Sequence, residues 1–289
     1  MRPADVPPPL PAILVEPLVR ATLAEDLGRA GDLTTDLVVP AHARARASLR
    51  ARRPGRIAGL DAALLAFRLL DPGLRIEVFQ PDGSDVATGD TVALVEGPAR
   101  PILTAERTAL NLLTRLCGVA TATREAVRLV EGTGARVACT RKTTPGLRAL
   151  EKYAVRVGGG VNHRFGLDDG VLIKDNHIAA AGGILEAIDR ARAGIGHMTK
   201  LEVEVDTLEQ LRLALTRPGV DAVLLDNMPP ATLREAVAIV AGRAVTEASG
   251  GVTPATLREV ASTGVDIVSL GWLTHSAPGL DLGLDLEPA

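Results

Sequence analysis

Apolar and polar residues follow two different rhythms along this chain, and the change comes near residue 131. In residues 16–27, EPLVRATLAEDL, apolar side chains recur at helical spacing. From Ala43 the run ARASLRARRPGRIAG sets small or apolar residues between arginines, the period-two mark of a half-exposed strand. DAALLAFRLLD, residues 61–71, predicts a helix, and LRIEVF and TVALVEG predict strands on either side of a PDGSD turn. The first hundred or so residues therefore predict an α+β domain with an open sheet.

A long amphipathic helix over roughly 104–131 leads into the second rhythm. Beyond it the β-rich runs RVACT, GVLI, LEVEV, AVLLD, AVTEAS and DIVSL alternate with the helical TLEQLRLALT, PATLREAVAIV and TPATLREVAS. Asp206 or Thr207, and Thr253, fit N-cap positions, with Pro230 and Pro254 in first turns where proline is tolerated. Such alternation predicts a parallel sheet covered by helices, and successive units of this kind favour a closed barrel. In that architecture chemistry belongs where strands end and loops begin.

Composition narrows the field. With 289 residues the chain can form one large α/β domain or two smaller ones, and its net charge of -3 gives no general attraction to nucleic acid or anionic membranes. Any anion selectivity is local. The two cysteines, Cys117 and Cys139, lack metal-ligand spacing and sit in apolar contexts, which predicts buried thiols in a reducing cytoplasm. No run has the length of a membrane span, and the proline-rich start MRPADVPPPLPAIL lacks a signal-like pattern. It predicts an extended arm with a disordered tip. DGSDVATGDTVALVEG suggests a biotinyl- or lipoyl-carrier hairpin, but attachment needs a lysine and none precedes Lys142.

The strand ends read as an ordered set: Arg141-Lys142, Lys174, Glu204, Asp226, Ser249-Gly250-Gly251 and Gly271. From Lys174 onward the steps are 30, 22, 23 and 22 residues, so the later ends recur at close to one βα unit. Scattered surface charge would not fall at the end of strand after strand. The early ends are cationic, the middle ends carboxylate and the late ends glycine-rich. Glycine loops opening onto helices present backbone N–H groups that can cradle a phosphate. Glu204 and Asp226 can accept hydrogen bonds from sugar hydroxyls, bind Mg²⁺ through oxygen, or act as acid and base. Glu202, Glu204 and Asp206 share a strand face, so one or two of them can simply pair with cations.

Arg107 on ERTALNLL, Arg141 and Lys142, His163 and Arg164 beyond a GGG loop, and Lys174 call for a polyanion. Bases converging on one pocket repel one another unless a ligand compensates. Arginine pairs bidentately with carboxylates, whereas lysine suits phosphate as a point charge. The mixture fits a small substrate with adjacent carboxylates, held next to a diphosphate.

ERTALNLL, TRKTTPGLRALEKYAVRVGGGVNHRFGLDDGVLIKDNH, EVEVD, LLDN, SGG and GWLTHS, in that order, closely resemble the quinolinate phosphoribosyltransferases. The resemblance covers residues 16 to 286, including EDLGRAGDLTTDLV. It implies the type II phosphoribosyltransferase architecture: an open-faced α/β sandwich over 1–115, with 278–289 packing back on it, and an incomplete β/α barrel over 116–277 of about seven strands. It also implies a cytoplasmic enzyme that joins quinolinate to phosphoribosyl pyrophosphate with Mg²⁺. The products are nicotinate mononucleotide, pyrophosphate and carbon dioxide, the de novo entry to NAD.

By the same resemblance, Arg141, His163, Arg164 and Lys174 match ligands of the quinolinate carboxylates. Arg107 matches an arginine contributed across a homodimer interface, in an assembly that can grow further. Lys142, Glu204 and Asp226 match the catalytic positions, the two acids holding ribose hydroxyls and Mg²⁺ directly or through water. Ser249, Gly250, Gly251 and Gly271 match the 5′-phosphate loops. Trp272 departs from the family pattern, where a small residue such as alanine is expected. Its bulk falls beside a phosphate loop whose backbone N–H donors should survive it. Of the remaining polar residues around the strand GVLI, Asp168 and Asp175 are expected to orient the cations and His177 to be structural. The alternatives are a sister phosphoribosyltransferase using another acid, a Schiff-base aldolase built on Lys174, and a non-catalytic barrel that binds a phosphometabolite.

Overall fold

The computed structural model describes residues 6–288, so the tip of the proline-rich arm lies outside the described residues. In chain order the elements begin with α1 (Ala12–Leu27), α2 (Leu33–Val38), β1 (Arg44–Ala51), β2 (Gly55–Arg56), α3 (Leu60–Leu70), β3 (Arg75–Val78), β4 (Asp85–Val86), β5 (Thr91–Pro98) and α4 (Ala99–Leu129). Then come β6 (Arg136–Ala138), α5 (Arg148–Val157), β7 (Val171–Ile173), α6 (Asp175–Ala181), α7 (Ile184–Gly194), β8 (Leu201–Val205) and α8 (Leu208–Ala214). The last are β9 (Ala222–Asp226), α9 (Pro230–Val240), β10 (Val245–Ser249), α10 (Pro254–Ala261), β11 (Ile267–Ser269), α11 (Trp272–His275) and β12 (Leu282–Pro288). Two compact units result. The first gathers the chain up to Arg124, the excursion Thr143–Gly159 and the segment from Ser276 onward. The second holds Glu125–Lys142 and Gly160–His275. The excursion containing α5 thus clusters with the first unit, although in sequence it sits among the barrel segments.

The first unit is an antiparallel sheet in the order β12-β1-β5-β3. Along β1, Ala45, Ala47, Leu49 and Ala51 are buried while Arg44 and Arg46 are exposed, the face selection that period-two alternation dictates. Helix α3 buries Leu60, Leu64 and Phe67 in the core of this unit. It starts at Gly59, whose φ of +81° places it in the left-handed region, and a Cβ there would lie 2.2 Å from Leu116 Cδ1. The Gly59 and Leu60 N–H groups donate to the Asp82 carboxylate at 2.8 and 3.0 Å, and the Tyr153 hydroxyl donates to Asp82 at 2.8 Å. Burial pushes the Asp82 carboxyl above its ordinary range, against these hydrogen bonds.

The second unit is a six-stranded parallel sheet in the order β6-β11-β10-β9-β8-β7. Val161 adds one parallel bridge to Ala138, a vestigial seventh position beside β6. No pairing among the described residues joins β6 to β7, so the barrel is incomplete, not closed. All six β-rich runs become strands, and α7, α8, α9 and α10 pack against them, which gives parallel pairing a covered face. Thr207, not Asp206, caps α8: its Oγ1 accepts from Gln210 N at 3.2 Å while Gln210 Oε1 accepts from Thr207 N at 3.3 Å. Pro230 and Pro254 open α9 and α10. Because all six strands run parallel, their carboxyl ends face one rim.

Phe67 has no exposed surface. Phe67→Ala should cost about 3–5 kcal/mol in chemical denaturation, the ordinary penalty for emptying such a site.

Candidate active site

The rim of the second unit encloses a cavity of about 880 Å³. Arg141 and Lys142 enter it from the end of β6, Arg164 and His163 from beyond Val161, and Lys174 from the end of β7. Glu204 reaches it from β8, Asp226 from the end of β9, Ser249-Gly250-Gly251 from β10 and Gly271 from β11. The fold therefore brings together every predicted site residue except Arg107. Arg107 is exposed on α4 in the first unit and does not line this cavity.

Arg141 and Arg164 define the cationic wall. The Nε atoms of both are buried and have no hydrogen-bond partner. Arg164 Nη1 donates to the Gly170 carbonyl at 2.9 Å. Burial, and then the charge of Arg141, hold the Arg164 guanidinium below its usual range; Asp169 and Glu202 act the other way. Unpaired guanidinium donors that also repel one another suit an anionic ligand.

His163 is held differently from the expected carboxylate ligand. Its Nδ1 accepts the Arg164 backbone N–H at 2.7 Å, and its Nε2 lies 2.9 Å from Glu202 Oε2 and 3.7 Å from Glu247 Oε1. An accepting Nδ1 assigns the proton to Nε2, which then donates to Glu202. Glu247 is buried, with its Oε1 lacking a hydrogen-bond partner. Burial, and then the charge of Glu202, push its carboxyl up to about 7, while His163 opposes the shift. The three ligand atoms of His163, Glu202 and Glu247 lie within 4.8 Å of one another, close enough to surround a metal ion. The Nε2 hydrogen, however, occupies the lone-pair position a metal would need.

Register explains the next pair. Ile173 stands opposite Val203 in the β7–β8 ladder, so Lys174 and Glu204 follow side by side, with Nζ 2.6 Å from Oε2. His177 Nδ1 accepts the Lys174 backbone N–H at 3.0 Å and so serves the start of α6. The expectation that Asp168 and Asp175 orient the cations is corrected: among the described residues neither pairs with one. Asp175 accepts only from its neighbour Asn176 N. The carboxylates in that role are Glu202 on His163, Glu204 on Lys174 and Asp169 near Arg164, the last also tying the loop through Phe165 N and Gly166 N. Both aspartates of the turn are exposed, and it is Asp169, held by those two N–H groups, whose charge acts on Arg164.

The glycine ends are shaped by steric limits. Gly250 and Gly251 have φ of +91° and +60°, and a Cβ on Gly250 would lie 2.2 Å from Asn227 Oδ1 and 2.9 Å from Asn227 N. Asn227 itself has φ +53°, donates its N–H to Ser249 O at 2.9 Å and its Nδ2 to Asp226 Oδ2 at 2.6 Å. Ser249 stands opposite Asp226 in the ladder, so the two strand ends interlock through this one asparagine. At Gly271 a Cβ would lie 3.2 Å from both His275 Nε2 and Lys142 Cδ. Among the described residues, the backbone N–H groups of Gly250, Gly251 and Gly271 have no protein acceptor. Trp272 stands beside them, and its indole N–H donates to Val252 O at 3.0 Å.

Sequence reasoning passed over Glu247, Asn227 and the pairing of Glu202. Glu202 had a signal, since it shares a face with Glu204. Glu247 is a lone acid inside an apolar strand, and Asn227 follows Asp226 directly.

A cationic wall, two carboxylate strand ends and glycine loops with free N–H groups on an incomplete parallel barrel define a phosphoribosyltransferase of type II architecture. Residues 32–117 match the family description "Quinolinate phosphoribosyl transferase, N-terminal domain", and residues 119–285 match the corresponding C-terminal domain. The chain is 47% identical over 262 residues to a "Probable nicotinate-nucleotide pyrophosphorylase [carboxylating]" of Bacillus subtilis (strain 168), covering 91% of this chain and 90% of that one. It is 46% identical over 276 residues to the "Nicotinate-nucleotide pyrophosphorylase [carboxylating]" of Mycobacterium leprae (strain TN), covering 93% and 95%. The crystal structure of NadC from Streptococcus pyogenes superposes with a TM-score of 0.94 at 38% identity, covering 98% of this chain and all of that one. The chain belongs to the quinolinate phosphoribosyltransferase family.

The raised Glu247 carboxyl has a consequence for stability. Between pH 4.5 and about 7 the unfolded chain ionises this group first, so its contribution to stability falls as pH rises through that window. Glu247→Gln should remove this decline, read as a flatter Tm between pH 4.5 and 7 than in the parent.

Proposed function

We propose that this chain transfers the phosphoribosyl group of phosphoribosyl pyrophosphate to quinolinate and decarboxylates the adduct, giving nicotinate mononucleotide, pyrophosphate and carbon dioxide. The observation that carries this reading is one cavity that holds both the unpaired Nε atoms of Arg141 and Arg164 and the open N–H groups of the glycine loops. A dicarboxylate satisfies the first and a sugar phosphate the second.

In this reading the pyridine nitrogen attacks the anomeric carbon as its bond to pyrophosphate breaks, with positive charge developing on the ribose. Glu204 and Asp226 favour that charge and hold the ribose hydroxyls. Lys142, exposed at the rim with its stem across Gly271, attends the departing diphosphate. Loss of the adjacent carboxylate leaves an electron pair on the ring carbon beside the cationic nitrogen, and a proton from water completes the product. Arg141, Arg164 and Lys174 act by orientation. His163 reaches the ligand with a ring already engaged by Glu202, and so acts mainly by fixing Arg164.

Mg²⁺ fits the donor set: Glu204 and Asp226 are hard oxygen ligands, and each has one oxygen left outside its bond to Lys174 or Asn227. When bound with the diphosphate it would neutralise charge on the leaving group. We assign Arg107 to the site of a second subunit in a homodimer, on the family match of ERTALNLL. We also place the enzyme in a reducing cytoplasm, on the strength of two buried cysteines that form no disulfide among the described residues. Among the described residues no helix is long and apolar enough to cross a membrane. A Schiff-base role for Lys174 is disfavoured, because its Nζ is bound to Glu204 and the side chain is 45% exposed instead of desolvated.

Quinolinate, phosphoribosyl pyrophosphate and Mg²⁺ together should release pyrophosphate and labelled carbon dioxide in equal amounts. Nicotinate in place of quinolinate should release no carbon dioxide, and pyrophosphate release with nicotinate alone would assign a sister activity. Arg164→Ala should raise KM for quinolinate by about 30-fold or more, the cost of removing one partner of a buried charge pair; near-normal affinity would sink the assignment.

A further inference from the structure

We propose that Trp272 is a positioning residue that holds the glycine loop after β10 in its phosphate-binding shape, an inference that rests on the phosphate-cradle reading above. Trp272 is the sole tryptophan of the chain. It follows Gly271 at the start of α11, and its indole N–H donates to the carbonyl of Val252, the residue after Gly250-Gly251. Trp272 and Val252 both line the cavity.

The loop between β10 and α10 has little else to hold it. On one side Gly250 abuts Asn227, which limits how far the loop can move toward β9. At its end Thr253 N donates to Thr256 Oγ1 at 3.0 Å, which starts α10 but does not restrain the glycines. Gly250 and Gly251 hold left-handed conformations, and Gly251 and Thr253 are exposed. Glycine makes these conformations accessible but leaves the loop free to depart from them. The indole bond to Val252 O supplies the restraint from the β11 side, so the loop is gripped between Asn227 and Trp272. Donors whose orientation is fixed before the ligand arrives bind it without the entropy cost of ordering them. The bulk of Trp272 is therefore accommodated as a strap between the two glycine ends.

Two variants separate the bond from the bulk. Trp272→Phe keeps an aromatic ring and loses the N–H, and Trp272→Ala loses both. Trp272→Phe should raise KM for phosphoribosyl pyrophosphate about 3- to 10-fold, the range expected for one neutral hydrogen bond, with KM for quinolinate within twofold of the parent. Trp272→Ala should show at least the same selective loss. Unchanged KM for both substrates in Trp272→Phe would overturn the proposal, as would an equal loss for both accompanied by a lower Tm, the mark of a merely structural residue. A second measurement needs neither turnover nor a variant: inorganic phosphate should shift the emission of the parent's single tryptophan saturably, and no change at saturating phosphate overturns the proposal. If the parent binds phosphate with that signature yet forms no product from quinolinate, the reaction assignment fails while the strap stands.

Discussion

Two like-charged guanidinium groups with unpaired nitrogens, Arg141 and Arg164, have to be kept in one cavity, and the barrel is arranged around that requirement. Burial, and then the charge of Arg141, hold the Arg164 guanidinium below its usual range. Left to relax, each side chain would turn to solvent. The sheet prevents this by delivering them from neighbouring positions beside β6 and Val161, and by lining the floor with carboxylates. Glu202 holds His163, His163 holds the Arg164 backbone, and Glu204 holds Lys174.

The opposite rim obeys a steric constraint instead of an electrostatic one. Gly250 has to be glycine because Asn227 fills the space where a Cβ would stand, and Gly271 is hemmed in by Lys142 and His275. Asn227 in turn tolerates a positive φ because its short amide bonds to Asp226. The carboxylate end of β9 and the glycine end of β10 are thus one unit. Ribose hydroxyls and the 5′-phosphate of one substrate would meet groups whose relative placement is already set.

Much of this was legible in the string of residues. Period-two alternation in β1 and the strand–helix rhythm after α4 are local patterns, and the strands and the helices read from that rhythm lie close to where those patterns put them. So was the identity of the strand ends, since a charged or glycine residue closing an apolar run marks itself. What escaped depended on neighbours distant in sequence. The partners of Lys174 and His163 come from β8, about 30 or more residues on, and only the ladder register brings Glu204 and Glu202 to them. Asp168 and Asp175 looked better placed because they are near in sequence, but their loop and helix turn them elsewhere.

By itself the sequence determined the α/β class, the parallel barrel, the family and the set of residues at its mouth, because each is written in short-range periodicity or in contiguous motifs. Only the tertiary structure decided that the gap in the barrel falls between β6 and β7, that His163 Nδ1 accepts the Arg164 N–H, and that Glu247 is buried beside Glu202 and His163. It also decided that Trp272 bonds to Val252. Each of those is a matter of which strand ends meet and how much water remains between them, and neither is carried by any one segment of the chain.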